Sequence, residues 1–141
     1  MVCDILAILD VKLKHLDDYN AARQKAAAFY NNAFAACDKI ETPAIEKFTT
    51  HIFHQYTLKL HGVDRQKLIE GMNEVGVPVM IYYPVPLHLQ KAFANAGGKR
   101  GDFPVTELLC DSVVSLPIHT ELDEEQLTHI TSNFLRIVEE N

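Results

Sequence analysis

Cysteine is scarce in this chain. Cys3, Cys37 and Cys110 are odd in number, far apart and form no C-x-x-C pair, which excludes a disulfide framework or a zinc ribbon and fits reduced thiols in a cytoplasmic protein. No apolar run approaches the roughly 18 residues of a membrane span. The N-terminus lacks the basic flank and small-residue cleavage site of a secretion signal. Basic residues are outnumbered, 13 against 19 carboxylates, and the net charge of −6 argues against phosphate-backbone binding as the main task. Internal repeats and low-complexity segments are also missing. What remains is 141 residues, 48 % apolar and 23 % charged, the composition of one soluble domain. A chain of that size can hold a core without disulfides or a structural metal.

Glycine and proline are absent from Met1 to Thr42. Over that stretch Leu9, Leu13, Leu16, Tyr19, Ala26, Tyr30 and Phe34 recur at helical steps, and Asp10 stands four before Lys14. The pattern predicts one long helix to about Cys37. At 1.5 Å per residue it would run roughly 54 Å, against a diameter of about 37 Å for a compact domain of this length, so it must protrude. Its first turns, with Ile5, Leu6, Ile8 and Leu9, are apolar and no N-cap precedes them, as if the chain began inside a helix of something larger.

Beyond it, strands and helices alternate. Glu41 to Thr50 reads as a connector, and His51 to Leu60 as a first strand ending at His61-Gly62. Asp64 caps a helix that stops at Gly76. Val77 to Tyr83 reads as a second strand closed by Pro84-Val85-Pro86, with Pro86 opening a short helix through Phe93. Asn95 to Gly101 is a glycine-rich basic loop. Phe103-Pro104 leads into a helix through Asp111, and Ser112 to Leu116 is a third strand. Asp123-Glu124-Glu125-Gln126 is a capping box, with Leu122 and Leu127 as its staple, and starts a last helix from Glu124 to Glu139. The sum is a small sheet covered by helices.

Candidate chemistry is thin. His51, His54 and His61 are the nearest histidines, but on a strand 51 and 54 face opposite ways and 51 and 61 lie roughly 33 Å apart. No H-E-x-x-H or G-x-S-x-G motif is present, and Cys37 and Cys110 sit in apolar helical contexts that favour inert thiols. Gly97-Gly98-Lys99-Arg100-Gly101 offers amides and cations to a phosphate, or is a plain surface connection. The segment Tyr82 to Gln90 differs, because it gathers two phenols, an imidazole and an amide at a proline-stiffened strand exit. Val77, Val79, Ile81 and Tyr83 share one face by period two, which turns Tyr82 the other way, toward a ligand, a partner or simple packing.

Five blocks in order carry a resemblance: Phe53 to Leu58, Gly62 to Arg65, Tyr82-Tyr83-Pro84 with Pro86 to Gln90, Asp102 to Thr106, and Leu116 to His119. They resemble the C-terminal part of the DegT/StrS family of sugar aminotransferases. Leu9 to Leu13 and Tyr19 to Arg23 are similar to that family's helix joining large and small domains. The resemblance implies an α+β small domain of the aspartate-aminotransferase-like, fold type I architecture. It would have a mainly antiparallel sheet of about three strands, with residues 1–40 as linker helix, 41–141 as the small domain and the large cofactor-binding domain absent.

It further implies a pyridoxal 5'-phosphate enzyme moving an amino group from glutamate to a nucleotide-linked keto sugar, for polysaccharide or antibiotic sugar biosynthesis. Such enzymes work as homodimers. The family's cofactor-bonding lysine has no counterpart among the nine lysines here, so the fragment alone is expected to be inactive and to bind no cofactor. Tyr82, Tyr83 and His88 are the substrate-binding candidates the resemblance gives; Tyr82 replaces a usual histidine, and His88 and Gln90 match a Pro-Leu-His-x-Gln stretch that can instead fix the turn. A neutral phenol can bond a sugar hydroxyl but shuttles a proton near about pH 7 less readily than imidazole. A free-standing ligand-binding or interaction module is the alternative, and a self-contained hydrolase using a reactive thiol a third. Either way, the uncovered apolar helix predicts self-association through residues 1 to 20.

Overall fold

The structure is a computed structural model that describes the backbone of residues 2–141 and side chains from Ile5 onward. The Cys3 thiol therefore lies outside the described residues. The elements are α1 (Val2–Leu13), α2 (Leu16–Phe34), β1 (Ile40–Glu41), β2 (Tyr56–Leu60), α3 (Arg65–Glu74), α4 (Pro104–Ser112), β3 (Val113–Leu116) and α5 (Glu124–Glu139), with two 3-10 turns at Leu87–Leu89 and Lys91–Ala96.

Three strands form an antiparallel sheet in the order β1-β2-β3, pairing Ile40 with Leu60 and Tyr56 with Leu116. Period two along β2 buries Tyr56, Leu58 and Leu60 and leaves Thr57 and Lys59 half-exposed. Over the buried face the core closes with Tyr30 and Phe34 of α2, Leu68 and Met72 of α3, Val114 of β3, and Phe134 and Val138 of α5. Aromatic contacts tie the layers, with Tyr30 4.8 Å from Tyr56 and Phe34 5.3 Å from Phe134 between ring centroids. On the opposite face Thr57 and Ser115 share a hydroxyl hydrogen bond of 2.8 Å. The cap predictions hold: the Asp64 side chain accepts from the Gln66 and Lys67 amides, and Asp123 and Gln126 make a reciprocal box.

Three expectations are corrected. The single N-terminal helix is two, parted at Lys14-His15, where the His15 amide reaches Lys12 O in a three-residue step at 3.0 Å. No glycine or proline marks this break. Residues 5–18 are exposed on every side, so no packing enforces a continuous rod there. The protrusion itself stands, since the first buried residue among the described side chains is Ala26.

Strand one is half its expected length. His51 to Gln55 is irregular because the Phe53 amide donates to His51 Nδ1 at 2.9 Å, and Phe53 takes φ +48°. Val77 to Tyr83 is not a strand but a single bridge, Met80 with Ser115. Pro78 and Pro84 deny the segment amide donors on both sides of Met80, so a ladder cannot extend. The third strand is instead the two-residue β1, which straddles the start of what reads as the connector at Glu41.

Candidate functional site

The Met80 bridge fixes where the candidate site begins. Met80 N–H donates to Ser115 O at 3.0 Å and Ser115 N–H donates to Met80 O at 2.7 Å, docking the segment on the free edge of β3. Val77 and Val79 before it are buried. After it the alternation fails: Ile81 is half-exposed, Tyr82 is 42 % exposed and Tyr83 72 %, and the peptide between the tyrosines is cis. Tyr83 thus does not share the buried face of Val77 and Val79, and both phenols stand outward.

Two crevices flank them. One of about 200 Å³ is lined by His54, Gln55, Met80, Tyr82, Ser115 and Pro117, bringing an imidazole, an amide and a phenol to one mouth. The other, about 260 Å³, lies between the tyrosine arm and α4, with Tyr82, Tyr83, Leu87, Thr106, Leu109 and Cys110 in its walls. Tyr82 borders both. Such a mixture, a ring face beside a few hydrogen-bonding groups, suits a polyhydroxylated ligand with apolar C–H faces.

His88 is not at either mouth. Its side chain is only 11 % exposed, and Nε2 donates to Glu107 Oε1 at 2.9 Å while the ring rests 4.8 Å from Phe103. Gln90 turns inward as well, donating from Nε2 to Val85 O at 3.1 Å. Of the three sequence candidates, then, Tyr82 and Tyr83 come together and His88 faces away.

The glycine-rich basic loop does not form an anion cradle here. Gly101 N–H donates to Glu107 Oε1 at 2.8 Å and Lys99 N–H to Asp102 Oδ2 at 2.9 Å, so carboxylates of this chain already occupy those amides. That donation from Gly101, reinforced by His88, holds the Glu107 carboxyl below the usual carboxylate range against the opposing effect of burial. Among the described residues no group of three or more His, Cys, Asp or Glu is placed to hold a metal ion. Nor is any helix long and apolar enough to cross a membrane.

Sequence reasoning missed His54, Gln55 and Glu107 as site residues. The first two carry a weak signal, polar residues just before β2 whose strand pairs with β3 beside Met80. Glu107 carries none, because its partners come from residues 88 and 101 across loops.

Comparison with known proteins decides the family. The model of the DegT/DnrJ/EryC1/StrS aminotransferase family matches residues 5–135. The chain belongs to that family. Among curated DegT/StrS relatives, the pleiotropic regulatory protein of Geobacillus stearothermophilus is 40 % identical over 126 residues, covering 88 % of this chain and 33 % of its own length. The UDP-N-acetyl-3-dehydro-α-D-glucosamine 3-aminotransferase of Acidithiobacillus ferrooxidans is 36 % identical, with 89 % of this chain and 32 % of its own length covered. In structure, S. venezuelae DesV, solved in complex with a ketimine intermediate, superposes with a TM-score of 0.89 at 29 % identity over 94 % of this chain and 35 % of its own. A DegT/DnrJ/EryC1/StrS aminotransferase from Brucella abortus gives 0.84 at 31 % identity, over 94 % and 34 %. The chain spans about a third of the length of the curated relatives it matches.

Proposed function

We propose that this chain is the small domain of a pyridoxal-phosphate-dependent sugar aminotransferase that moves an amino group from glutamate to a nucleotide-linked keto sugar and works as a homodimer. One observation carries the reading: nearly the whole chain superposes on a third of a family aminotransferase at a TM-score of 0.84. Residues 1–40 would then lead from a large domain into the small one at 41–141.

The residues present here do not fit the cofactor. No lysine lines either crevice beside Tyr82, and two amides of the glycine-rich loop, those of Lys99 and Gly101, are taken by carboxylates of this chain. When bound elsewhere in the parent, pyridoxal phosphate supplies the electron sink for amino transfer. What this chain contributes is recognition: Tyr82 and Tyr83 offer phenol oxygens to sugar hydroxyls and ring faces to its C–H surface, with His54 and Gln55 at the same mouth.

Incubated with pyridoxal phosphate and glutamate, the chain should show no absorbance band of a lysine-bound cofactor and produce no 2-oxoglutarate. Titrated with UDP-N-acetylglucosamine, it should shift the ring resonances of Tyr82 and Tyr83. Turnover by the isolated chain, or shifts confined to residues away from both crevices, would refute the reading.

A further inference from the structure

Among the described residues Glu107 is the one charged side chain that is buried, at 8 % exposure. An ionised carboxylate in such a place persists only when its lone pairs are met. Here Oε1 accepts from Gly101 N–H at 2.8 Å and from His88 Nε2 at 2.9 Å, and Oε2 lies 4.0 Å from Arg100 Nη1. Three segments, residues 86–90, residues 98–101 and α4, therefore converge on one carboxyl group.

The turn that His88 belongs to is stiff within itself. Leu89 N–H donates to Pro86 O at 2.9 Å, Gln90 N–H to Leu87 O at 3.1 Å, and the Gln90 side chain closes on Val85 O. Gly98 seals it from outside, since a Cβ there would stand 2.9 Å from His88 Cβ and 3.1 Å from His88 O. Moving His88 moves this unit, and Tyr82 and Tyr83 are its stem. Among the described residues the His88–Glu107 contact is also the only hydrogen bond that joins residues 82–90 to α4. Neither partner lines the 260 Å³ crevice itself, but the residue before each does, Leu87 on the arm and Thr106 on α4, so their contact ties the two walls from behind.

We infer that Glu107 is a positioning residue: acting through His88, it sets the distance between the tyrosine arm and α4, and so the width of the crevice that Tyr82 and Tyr83 present to substrate. The inference rests on the reading of those tyrosines as the substrate-facing residues. It assigns Glu107 no contact with substrate. It also gives His88 a role the motif alone left open, as the lever between the carboxylate and the arm.

The test compares Glu107→Ala, Glu107→Gln and His88→Ala in the full chain by NMR. Glutamine keeps a carbonyl that can accept from both donors, whereas alanine keeps neither acceptor. In Glu107→Ala the amides of Leu89 and Gln90 should exchange about tenfold faster, with those of β2 and β3 unchanged, and the Tyr82 and Tyr83 ring signals should move toward free tyrosine. The midpoint of the UDP-N-acetylglucosamine titration should rise about tenfold, equivalent to roughly 1.4 kcal/mol. Glu107→Gln should restore both readouts, a rescue that a bulk stability effect would not give selectively at the arm. Unchanged exchange and ring signals in Glu107→Ala would overturn the inference. If that variant fails to fold, His88→Ala removes the same link while sparing the Gly101 bond, and an undisturbed arm there overturns it equally. Failure of the wild-type chain to respond to the nucleotide sugar would instead strike at the substrate reading, leaving the exchange comparison to decide the positioning role.

Discussion

Two of the five tyrosines serve the core. Tyr30 O–H donates to Pro117 O at 2.8 Å and Tyr56 O–H to Asn31 Oδ1 at 2.7 Å, so each ring is buried without stranding its hydroxyl. Burial pushes both phenols above their ordinary value of 10.0, and for Tyr56 the neighbouring Tyr30 adds to it. The folded chain therefore keeps both protonated where an unfolded chain would ionise them. Stability is full below about pH 10 and falls as pH rises from there. Thermal melts followed by circular dichroism between about pH 9 and 11 should show this loss. Tyr30→Phe should lessen it, leaving the part due to Tyr56, while costing about 1–2 kcal/mol at neutral pH in urea denaturation, because Pro117 O is left without its donor. At this scale the sequence was partly readable. Asp64, Asp123 and Gln126 announce themselves by local spacing, and the outward tyrosines by their proline frame. Glu107 does not, since a buried carboxylate and its partners 6 and 19 residues away leave no periodic mark.

Among elements, α5 is the best-specified and α1 the least. The capping box and an apolar stripe of Leu127, Ile130, Phe134 and Ile137 define α5 from sequence alone, and its boundaries came out as read. Asp123→Ala should lower stability by about 1 kcal/mol through loss of the cap, read as a shift in the urea midpoint at unchanged slope. Strands were harder. A five-residue strand and a two-residue partner carry too few alternations to separate from their flanks, and Val77 to Tyr83 has a strand's composition while Pro78 within it and Pro84 just after it forbid a ladder. Along α1 and into the first residue of α2, Leu6, Leu9, Leu13 and Leu16 repeat at three- and four-residue steps and all are exposed. Such a stripe seeks cover. Sedimentation velocity should show concentration-dependent self-association of the chain, and Leu9→Glu combined with Leu13→Glu should abolish it; a monomer at all concentrations would count against this surface.

Taken whole, the molecule divides its apolar surface unevenly. The core draws its residues from between Ala26 and Val138, while the described side chains before Ala26, from Ile5, contribute none to that core. The fold class and the family were legible because a few widely separated blocks, such as Asp102 to Thr106 and Leu116 to His119, keep their order along the chain. The architecture between them was not, because which segment completes the sheet depends on contacts between residues far apart, Ile40 with Leu60 and Met80 with Ser115. The same long-range pairing makes the sheet and its three covering helices one cooperative unit.

The parting of α1 from α2 at Lys14-His15 has a consequence for the life of the polypeptide. A serine protease such as trypsin cuts where the backbone opens locally, and the turn beside Lys12 and Lys14 is where an unsupported helix opens most readily. Brief digestion should clip after those two lysines first and leave a resistant remnant beginning near His15, whose melting temperature matches that of the intact chain. Equal cutting across Lys25, Lys39 and Lys59 at the earliest times would show the body to be no sturdier than its stalk.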